Sequence, residues 1–191
     1  MRPTLHRSTP GFTLCVGVLT ALVVALSACS EGGSAQPPED SYPIPISAKQ
    51  TPYEEVLPCL ALRLELGPKP PNSAALPFTL KVKNSCAEPV RWFLSNSPPH
   101  DFVVSRRQRE VWNFLGDKIV QQPIMQMDMK PAQEEVFSGE WDLRLANGEL
   151  IPSGTYSVEA SLSSTSMTGR DYQSVQTKRL QFVVPPRPRT D

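Results

Sequence analysis

The sequence predicts an all-β protein whose folded part is an immunoglobulin-like antiparallel β-sandwich. The chain has 21 prolines in 191 residues, about twice the usual share of roughly 5%, and helices tolerate proline poorly. Apolar and polar residues alternate with a period of two in several short runs, as half-buried strands require. Turn residues separate roughly seven or eight such runs, which favours a sandwich. A small β-barrel is the alternative architecture.

Residues 1–28 have the pattern of a secretory signal peptide. Basic residues precede an apolar run over 12–26, which at about 15 residues is shorter than the roughly 20 that span a membrane. The run ends in Leu26-Ser27-Ala28-Cys29, which resembles the lipobox of bacterial lipoproteins. The resemblance implies cleavage before Cys29 and attachment of diacylglycerol and an acyl chain such as palmitate to that cysteine. An ordinary signal peptide is the alternative.

Residues 29–58 are predicted to be a lipidated cysteine followed by a proline-rich tether. Two acyl chains anchor a protein stably, so we expect a membrane-attached protein of the bacterial envelope. Ser30 follows the cysteine, which by the sorting rule of lipoproteins implies the outer membrane in a cell with two membranes. The tether shows no apolar period and is interrupted by proline at Pro37, Pro38, Pro43, Pro45, Pro52 and Pro58.

One β domain is expected over residues 59–184, followed by a tail over 185–191. Leucines alternate with other residues through Leu60–Leu66, and a second alternating run covers 78–83, so these two runs predict an antiparallel hairpin turning near Asn72. Further strands are predicted at Val90–Leu94, Phe102–Ser105, Glu110–Phe114, Glu134–Trp141, Thr155–Leu162 and Ser174–Val184. The last of these is predicted to be one long strand that ends at Pro185.

Cys59 and Cys86 flank the predicted hairpin, and they are the cysteines that remain once Cys15 is removed and Cys29 is lipidated. Because the envelope is oxidising, we predict a disulfide between them. Their positions differ in parity, so the bond requires a bulge or a parity break near residues 84–85. Two independent small buried side chains are the alternative.

Charge and histidine content argue against two classes of function. The chain has 19 basic and 19 acidic residues and no basic block, which excludes a nucleic-acid partner. After processing, His100 is the one histidine left, and hydrolases usually need a histidine base in a defined triad. The adjacent Glu134 and Glu135 point to opposite faces of a strand. We therefore predict no catalytic residue, no metal site and no cofactor beyond the lipid on Cys29.

Aromatic, basic and thioether side chains have simple structural interpretations. Tryptophans in strand-like runs usually lie in the core, and an arginine cluster between two strands indicates a solvated hairpin turn. Thioethers ligate copper(I), so alternating methionines together with His100 are compatible with a copper(I) site, but a half-buried strand or loop shows the same spacing and is the preferred interpretation. The tryptophans are Trp92, Trp112 and Trp141, the arginines are Arg106, Arg107 and Arg109, and the methionines are Met125, Met127 and Met129.

Five short motifs occur in the order seen in a known family. They are Lys81-Val82-Lys83-Asn84-Ser85 with Pro89-Val90 ("V-x-N…P-V"), His100-Asp101-Phe102-Val103-Val104 ("Y-D-F-x-V"), Glu110-Val111-Trp112 ("E-V-W"), Phe137 with Trp141 ("F…W") and Ile151-Pro152-Ser153-Gly154-Thr155-Tyr156 ("P-G-x-Y"). Together they resemble the BsuPI-type intracellular proteinase inhibitor domain, over about residues 78–162. The resemblance implies an immunoglobulin-like sandwich and a proteinase partner.

The predicted function is a lipid-anchored module that binds an envelope protein, with a proteinase implied by the resemblance. Two loops are predicted to make the contact. The first covers Asn96–Asp101 and includes Ser97, Pro98, Pro99 and His100, where proline lowers the entropy cost of binding. The second covers Gln121–Gln133 and includes Met125 and Met127 as adaptable apolar contacts. The alternatives are a Met-rich copper-handling lipoprotein and a structural envelope module without a ligand.

Overall fold

The computed structural model describes residues 45–69, 73–116 and 118–187. The predicted signal peptide, Cys29 and most of the tether lie outside these residues, as does the end of the tail. The described chain is built from strands and turns: β1 (Lys49–Gln50), β2 (Glu54–Leu57), β3 (Leu60–Leu66), β4 (Leu76–Asn84), β5 (Val90–Leu94), β6 (His100–Arg106), β7 (Arg109–Asn113), β8 (Met125–Met129), β9 (Glu134–Trp141), β10 (Gly154–Ser166), β11 (Gln173–Gln176) and β12 (Leu180–Val184).

The strands form two antiparallel sheets. In the first sheet the order is β1-β3-β4-β9, and β2 also pairs with β3. In the second the order is β7-β6-β10-β5-β8, and both β11 and β12 pair with β10. The predicted all-β sandwich is confirmed. Among the residues that the structure describes, no helix has the length and hydropathy of a membrane span.

The core lies between the sheets and is formed by alternate residues of the strands. Along β4, Leu76, Phe78, Leu80 and Val82 are buried while their neighbours are half-exposed, because successive side chains of a strand point to opposite faces. Trp92 and Trp141 are almost fully buried, as predicted, and the half-buried Trp112 packs against the same core.

A tyrosine corner closes one end of the sandwich. The hydroxyl of Tyr156 donates a hydrogen bond to the carbonyl of Pro152, at 2.6 Å, four residues upstream. Such a bond from the start of a strand is characteristic of immunoglobulin-like sandwiches. The motif at residues 151–156 therefore encodes a feature of the fold.

The boundary between tether and domain is earlier than predicted. Residues 45–58 were assigned to the tether, but β1 and β2 both pair with β3. Thr51 also exchanges hydrogen bonds with Leu64, because its N–H donates to the Leu64 carbonyl and its Oγ1 accepts from the Leu64 N–H. Main-chain pairing attaches this segment to the sheet, so the absence of an apolar period in its sequence was misleading.

The prediction of one long strand over Ser174–Val184 was also wrong. The segment divides into β11 and β12, with Thr177 between them. Thr177 Oγ1 accepts a hydrogen bond from the N–H of Ala160, at 3.0 Å, and the Thr177 N–H donates to the Ala160 carbonyl. The side-chain hydroxyl thus takes a place in the ladder that a main-chain carbonyl would occupy, which interrupts the strand.

Candidate protein-binding site

The structure joins the two loops that the sequence singled out. Ser97 lies between β5 and β6, and Gln121 lies in the connection from β7 to β8. The N–H of Ser97 donates to the carbonyl of Gln121 at 2.9 Å, and the N–H of Gln121 donates to the carbonyl of Ser97 at 3.1 Å. This reciprocal pair is a short antiparallel bridge, and it holds the long connection against the body of the sandwich.

The connection exposes a group of apolar side chains, which we call the apolar loop (residues 118–125). Ile119 is 89% exposed and Ile124 is 64% exposed, while Val120 and Met125 are each 38% exposed. Isolated exposed hydrophobic residues are ordinary, whereas a large contiguous group of them marks an interaction site. The sequence prediction began this loop at Gln121 and so missed Ile119 and Val120. Two β-branched residues following the turn signal at Gly116 were the available clue.

The base of the apolar loop is attached to β6. Asp101 Oδ1 accepts a hydrogen bond from the N–H of Leu115 at 3.2 Å, and the Lys118 ammonium lies 2.8 Å from the centre of the Phe114 ring. The aromatic ring attracts this cation electrostatically. The start of the loop is therefore held by β6 and by the Phe114 ring.

The predicted contacts at Pro99 and His100 require correction, because both residues are buried. His100 is the first residue of β6, where even-numbered side chains face the core. Its ring lies among Phe102, Phe114 and Phe137, with centroids 5.1 to 5.5 Å away. Ser97 and Pro98 are half-buried. The first loop therefore supports the apolar loop, and the apolar loop provides the exposed surface.

The burial of the three methionines of β8 increases along the strand. Met125 is partly exposed, Met127 is half-buried against the core, and Met129 is almost fully buried. Met127 lies directly opposite Trp92 in the ladder. The predicted contact at Met127 is therefore corrected to a packing position, and Met125 is the methionine of β8 that extends the apolar loop. The His100 ring packs against phenylalanines and its Nε2 donates to the Ser138 carbonyl; the copper alternative stays a prediction.

A disulfide joins Cys59 and Cys86, whose Cα atoms are 4.8 Å apart. Cys59 and Cys86 are at positions of opposite parity, and the backbone departs from regular strand geometry at both ends of the bond. Cys59 has a positive φ of 66°, and the N–H of Cys86 donates to Asn84 Oδ1 at 2.9 Å, which turns the chain at the end of β4. The irregularity expected near residues 84–85 is present, and a second one lies at Cys59.

Asn84 connects the first sheet to the turn between β8 and β9. Its side-chain amide donates to the carbonyls of Glu88 (2.9 Å), Lys130 (3.1 Å) and Met129 (3.3 Å). The residue is only 1% exposed, so these bonds replace water that the amide lost on burial. The "V-x-N" motif contained this residue, but the sequence did not show what it bonds.

His100 is predicted to make stability fall as the solution becomes acidic. Burial lowers its pKa, and the positive charge of Lys118 lowers it further, against the opposing effect of a hydrogen bond from Nε2 to the Ser138 carbonyl. Nδ1 is buried without a partner among the described residues, so protonation there would bury an unpaired N–H. The pKa of His100 in the folded protein is therefore below the unfolded value of about 6.5. The contribution of the neutral ring to stability is complete above pH 6.5 and decreases as the pH falls below it.

The test is denaturant unfolding of the wild type and of His100→Phe between pH 7.5 and 5. Phenylalanine fits the aromatic surroundings and does not titrate. Below pH 6.5 we expect the free energy of unfolding of the variant to rise relative to that of the wild type, by at most about 1.4 kcal/mol per pH unit. Asp101 contributes a pH dependence of the opposite sign, because burial raises its pKa. Both proteins contain Asp101, so the difference between them cancels this contribution. Parallel pH profiles would contradict the assignment.

One of three comparisons with known proteins, the match to a family model, agrees with the family resemblance. A search of curated protein sequences finds no match. A crystal structure of an ApaA protein from Bordetella pertussis is matched at 11% identity, over 76% of this chain and 95% of that one, but the TM-score of 0.33 is too low to support an argument. The model of the family described as "BsuPI: Intracellular proteinase inhibitor" matches residues 63–167. That match extends from β3 to the end of β10 and covers more than half of the sequence. A family of inhibitors is consistent with the prediction that the chain is not an enzyme. On this match the chain belongs to the BsuPI intracellular proteinase inhibitor family.

Proposed function

We propose that this protein is a lipid-anchored envelope protein whose β-sandwich binds a proteinase through the apolar loop. The observation that carries the proposal is the bridge between Ser97 and Gln121 beneath an exposed group of apolar side chains. A loop that is already held in place loses little conformational entropy on binding. Family membership supplies the class of partner.

The chemistry of the loop suits an apolar cleft on the partner. Ile119 is the most exposed of the large hydrophobic residues described, and burying such a side chain in a partner contributes about 1.5–3 kcal/mol. Lys118 is held against the Phe114 ring at the start of the loop. We therefore expect a partner whose contact site is mainly apolar.

The proposed location rests on the sequence. The Leu26-Ser27-Ala28-Cys29 motif and the following polar segment resemble those of a lipoprotein, and the disulfide between Cys59 and Cys86 suits an oxidising compartment. The name of the family refers to intracellular inhibitors, whereas a protein anchored through Cys29 would meet exported proteinases. The proposed partner is accordingly a proteinase of the envelope.

The Ile119→Glu substitution tests the proposal. The purified protein is assayed as an inhibitor of serine proteinases with trypsin-like, chymotrypsin-like and subtilisin-like specificity. Placing a charge at the centre of an apolar contact typically costs 2 kcal/mol or more, so we expect inhibition to weaken by at least about 30-fold.

Val183→Glu is the matched control, because Val183 is 56% exposed but lies on β12. It carries the same change of charge and leaves the apolar loop intact. Equal inhibition by the wild type and by the Ile119 variant would remove the loop from the proposal. No inhibition of any of the three classes would remove the proteinase as the partner.

A further inference from the structure

The outer edge of β9 has no neighbouring strand in the part of the chain that the structure describes. β9 is the last strand of the first sheet, and its one printed ladder is with β4. The edge of a sheet presents main-chain N–H and C=O groups in a row, and an extended segment of another chain can pair with them as an added strand. This edge uses other residues than the apolar loop, so it is a second surface beyond the proposed function.

The register of the β4–β9 ladder shows which groups point to the open edge. The N–H of Asn84 donates to the carbonyl of Gln133 at 3.0 Å. Hydrogen-bonded and non-hydrogen-bonded pairs alternate in an antiparallel ladder, so the next pair, Lys83 with Glu134, is a non-hydrogen-bonded one. The N–H and C=O of Glu134 therefore point away from β4. Because the pattern repeats every second residue, those of Val136 do so as well.

The edge is closed at one point and open before it. The carbonyl of Ser138, which points outward in the same register, accepts a hydrogen bond from His100 Nε2 at 3.2 Å. The main-chain groups of Glu134 and Val136 make no such bond with other described residues. The Val136 side chain is 55% exposed, although a β-branched residue in a strand usually packs against a neighbour. The open stretch is therefore Glu134–Phe137, with an exposed apolar side chain within it.

The two exposed side chains of this stretch define the chemistry of the added strand. Residues that lie directly opposite each other on neighbouring strands stabilise a sheet when both are apolar or when their charges are opposite. An apolar residue therefore suits the position opposite Val136, and a basic residue suits the position opposite Glu134. Lys83 lies on the other side of Glu134, on β4, so the carboxylate would be placed between two cations.

A second copy of this chain is a poor occupant of the edge. Antiparallel pairing of Val136 with Val136 would place Glu134 opposite Ser138, whose carbonyl is already bonded. Registers that use only the open groups place Glu134 opposite Val136 or opposite another Glu134, and neither pair is complementary. We propose that the edge of β9 binds an extended segment of a different protein as an added antiparallel strand, with an apolar residue opposite Val136 and a basic residue opposite Glu134.

The test is titration of the ¹⁵N-labelled full chain with the capped peptide acetyl-Thr-Thr-Val-Thr-Lys-Thr-amide, whose valine and lysine match Val136 and Glu134. We expect saturable downfield shifts of the amide proton signals of those two residues, because each N–H gains a carbonyl acceptor. N-methylation of the peptide's valine should abolish the shifts. N-methylation of the threonine between valine and lysine, whose N–H points away from β9, should change affinity by less than about three-fold.

The charge is tested with glutamate in place of the peptide's lysine, which should weaken binding at least about three-fold. Equal affinity of the lysine and glutamate peptides would overturn the assignment of a basic residue opposite Glu134. Equal affinity of the two N-methylated peptides, or the absence of a saturable shift, would overturn the added strand itself.

Val136→Pro tests the same edge from the side of the protein, with Val136→Thr as the matched control. Proline removes the outward N–H without removing a bond to β4, and threonine keeps that N–H. We expect the proline variant to bind the peptide at least about five-fold more weakly than the threonine variant. Equal affinity of two folded variants would overturn the proposal, and the methylated peptides decide the matter if the proline variant does not fold.

A dilution series without peptide tests the alternative occupant. Signals of Glu134 and Val136 that shift with protein concentration, and a dimer in sedimentation, would show that a second copy occupies the edge and would overturn the proposal. None of these measurements involves Ile119, so a failure here is distinguishable from a failure of the proposed proteinase contact.

Discussion

Replacing Asn84 with aspartate is expected to lower the free energy of unfolding by about 3 kcal/mol or more. The substitution keeps the acceptor for the N–H of Cys86 but removes the amide that donates to Glu88, Met129 and Lys130. A carboxylate would then face three carbonyl oxygens at a site that is 1% exposed. Both the unpaired acceptors and the buried charge act against folding.

Equilibrium unfolding in urea at pH 7 measures the effect, with Asn147→Asp as the matched control. Asn147 is exposed, and its Oδ1 accepts from the N–H of Glu149 at 3.0 Å, a bond that aspartate retains. The control should change the free energy of unfolding by no more than about 0.5 kcal/mol. If the Asn84 variant lost less than about 1 kcal/mol, the amide would not be the connection between the sheet and the turn after β8.

Removal of the disulfide is the second change for which we expect a large effect. Cys59 and Cys86 are separated by 27 residues, and closing a loop of that size in the unfolded chain stabilises the fold by about 3.5 kcal/mol in the chain-entropy treatment. The Cys59→Ser, Cys86→Ser double variant should therefore unfold roughly 10 °C below the wild type. The disulfide also joins the two strands of the β3–β4 hairpin at the end that lies away from the turn.

Thermal unfolding with and without a reductant checks this prediction. Reductant should lower the Tm of the wild type to near that of the double serine variant, and it should leave the variant unchanged. A wild-type Tm that does not respond to a reductant able to break the bond in the unfolded chain would show that the cross-link contributes nothing to stability.

The strands were the part of the fold most accessible to sequence reasoning. The predicted runs Val90–Leu94 and Glu134–Trp141 coincide with β5 and β9 residue for residue, and the β3–β4 hairpin has the expected antiparallel register. An alternating pattern is local, because every second side chain of a strand meets the same environment. Such a pattern is lost where hydrogen bonds alone recruit a segment, and the prediction therefore missed β1 and β2.

The candidate site was less predictable, since its parts are distant in the chain. Both loops were chosen from composition, but neither the bridge from Ser97 to Gln121 nor the exposure of Ile119 follows from local sequence. His100 follows two prolines and was predicted to lie in the contact loop over Asn96–Asp101, yet the register of β6 places its ring among phenylalanines.

Local periodicity, turn residues and a short N-terminal motif were thus enough to predict an all-β sandwich, a resemblance to its family, the pairing of Cys59 with Cys86 and a lipid anchor at Cys29. The tertiary structure decided which polar groups find partners and which apolar groups stay in water. Those outcomes depend on register between strands far apart in sequence. The three bonds of Asn84, and the polar atoms of Trp92 and Thr165 that have no partner in the described part of the chain, therefore emerge only once both sheets have packed.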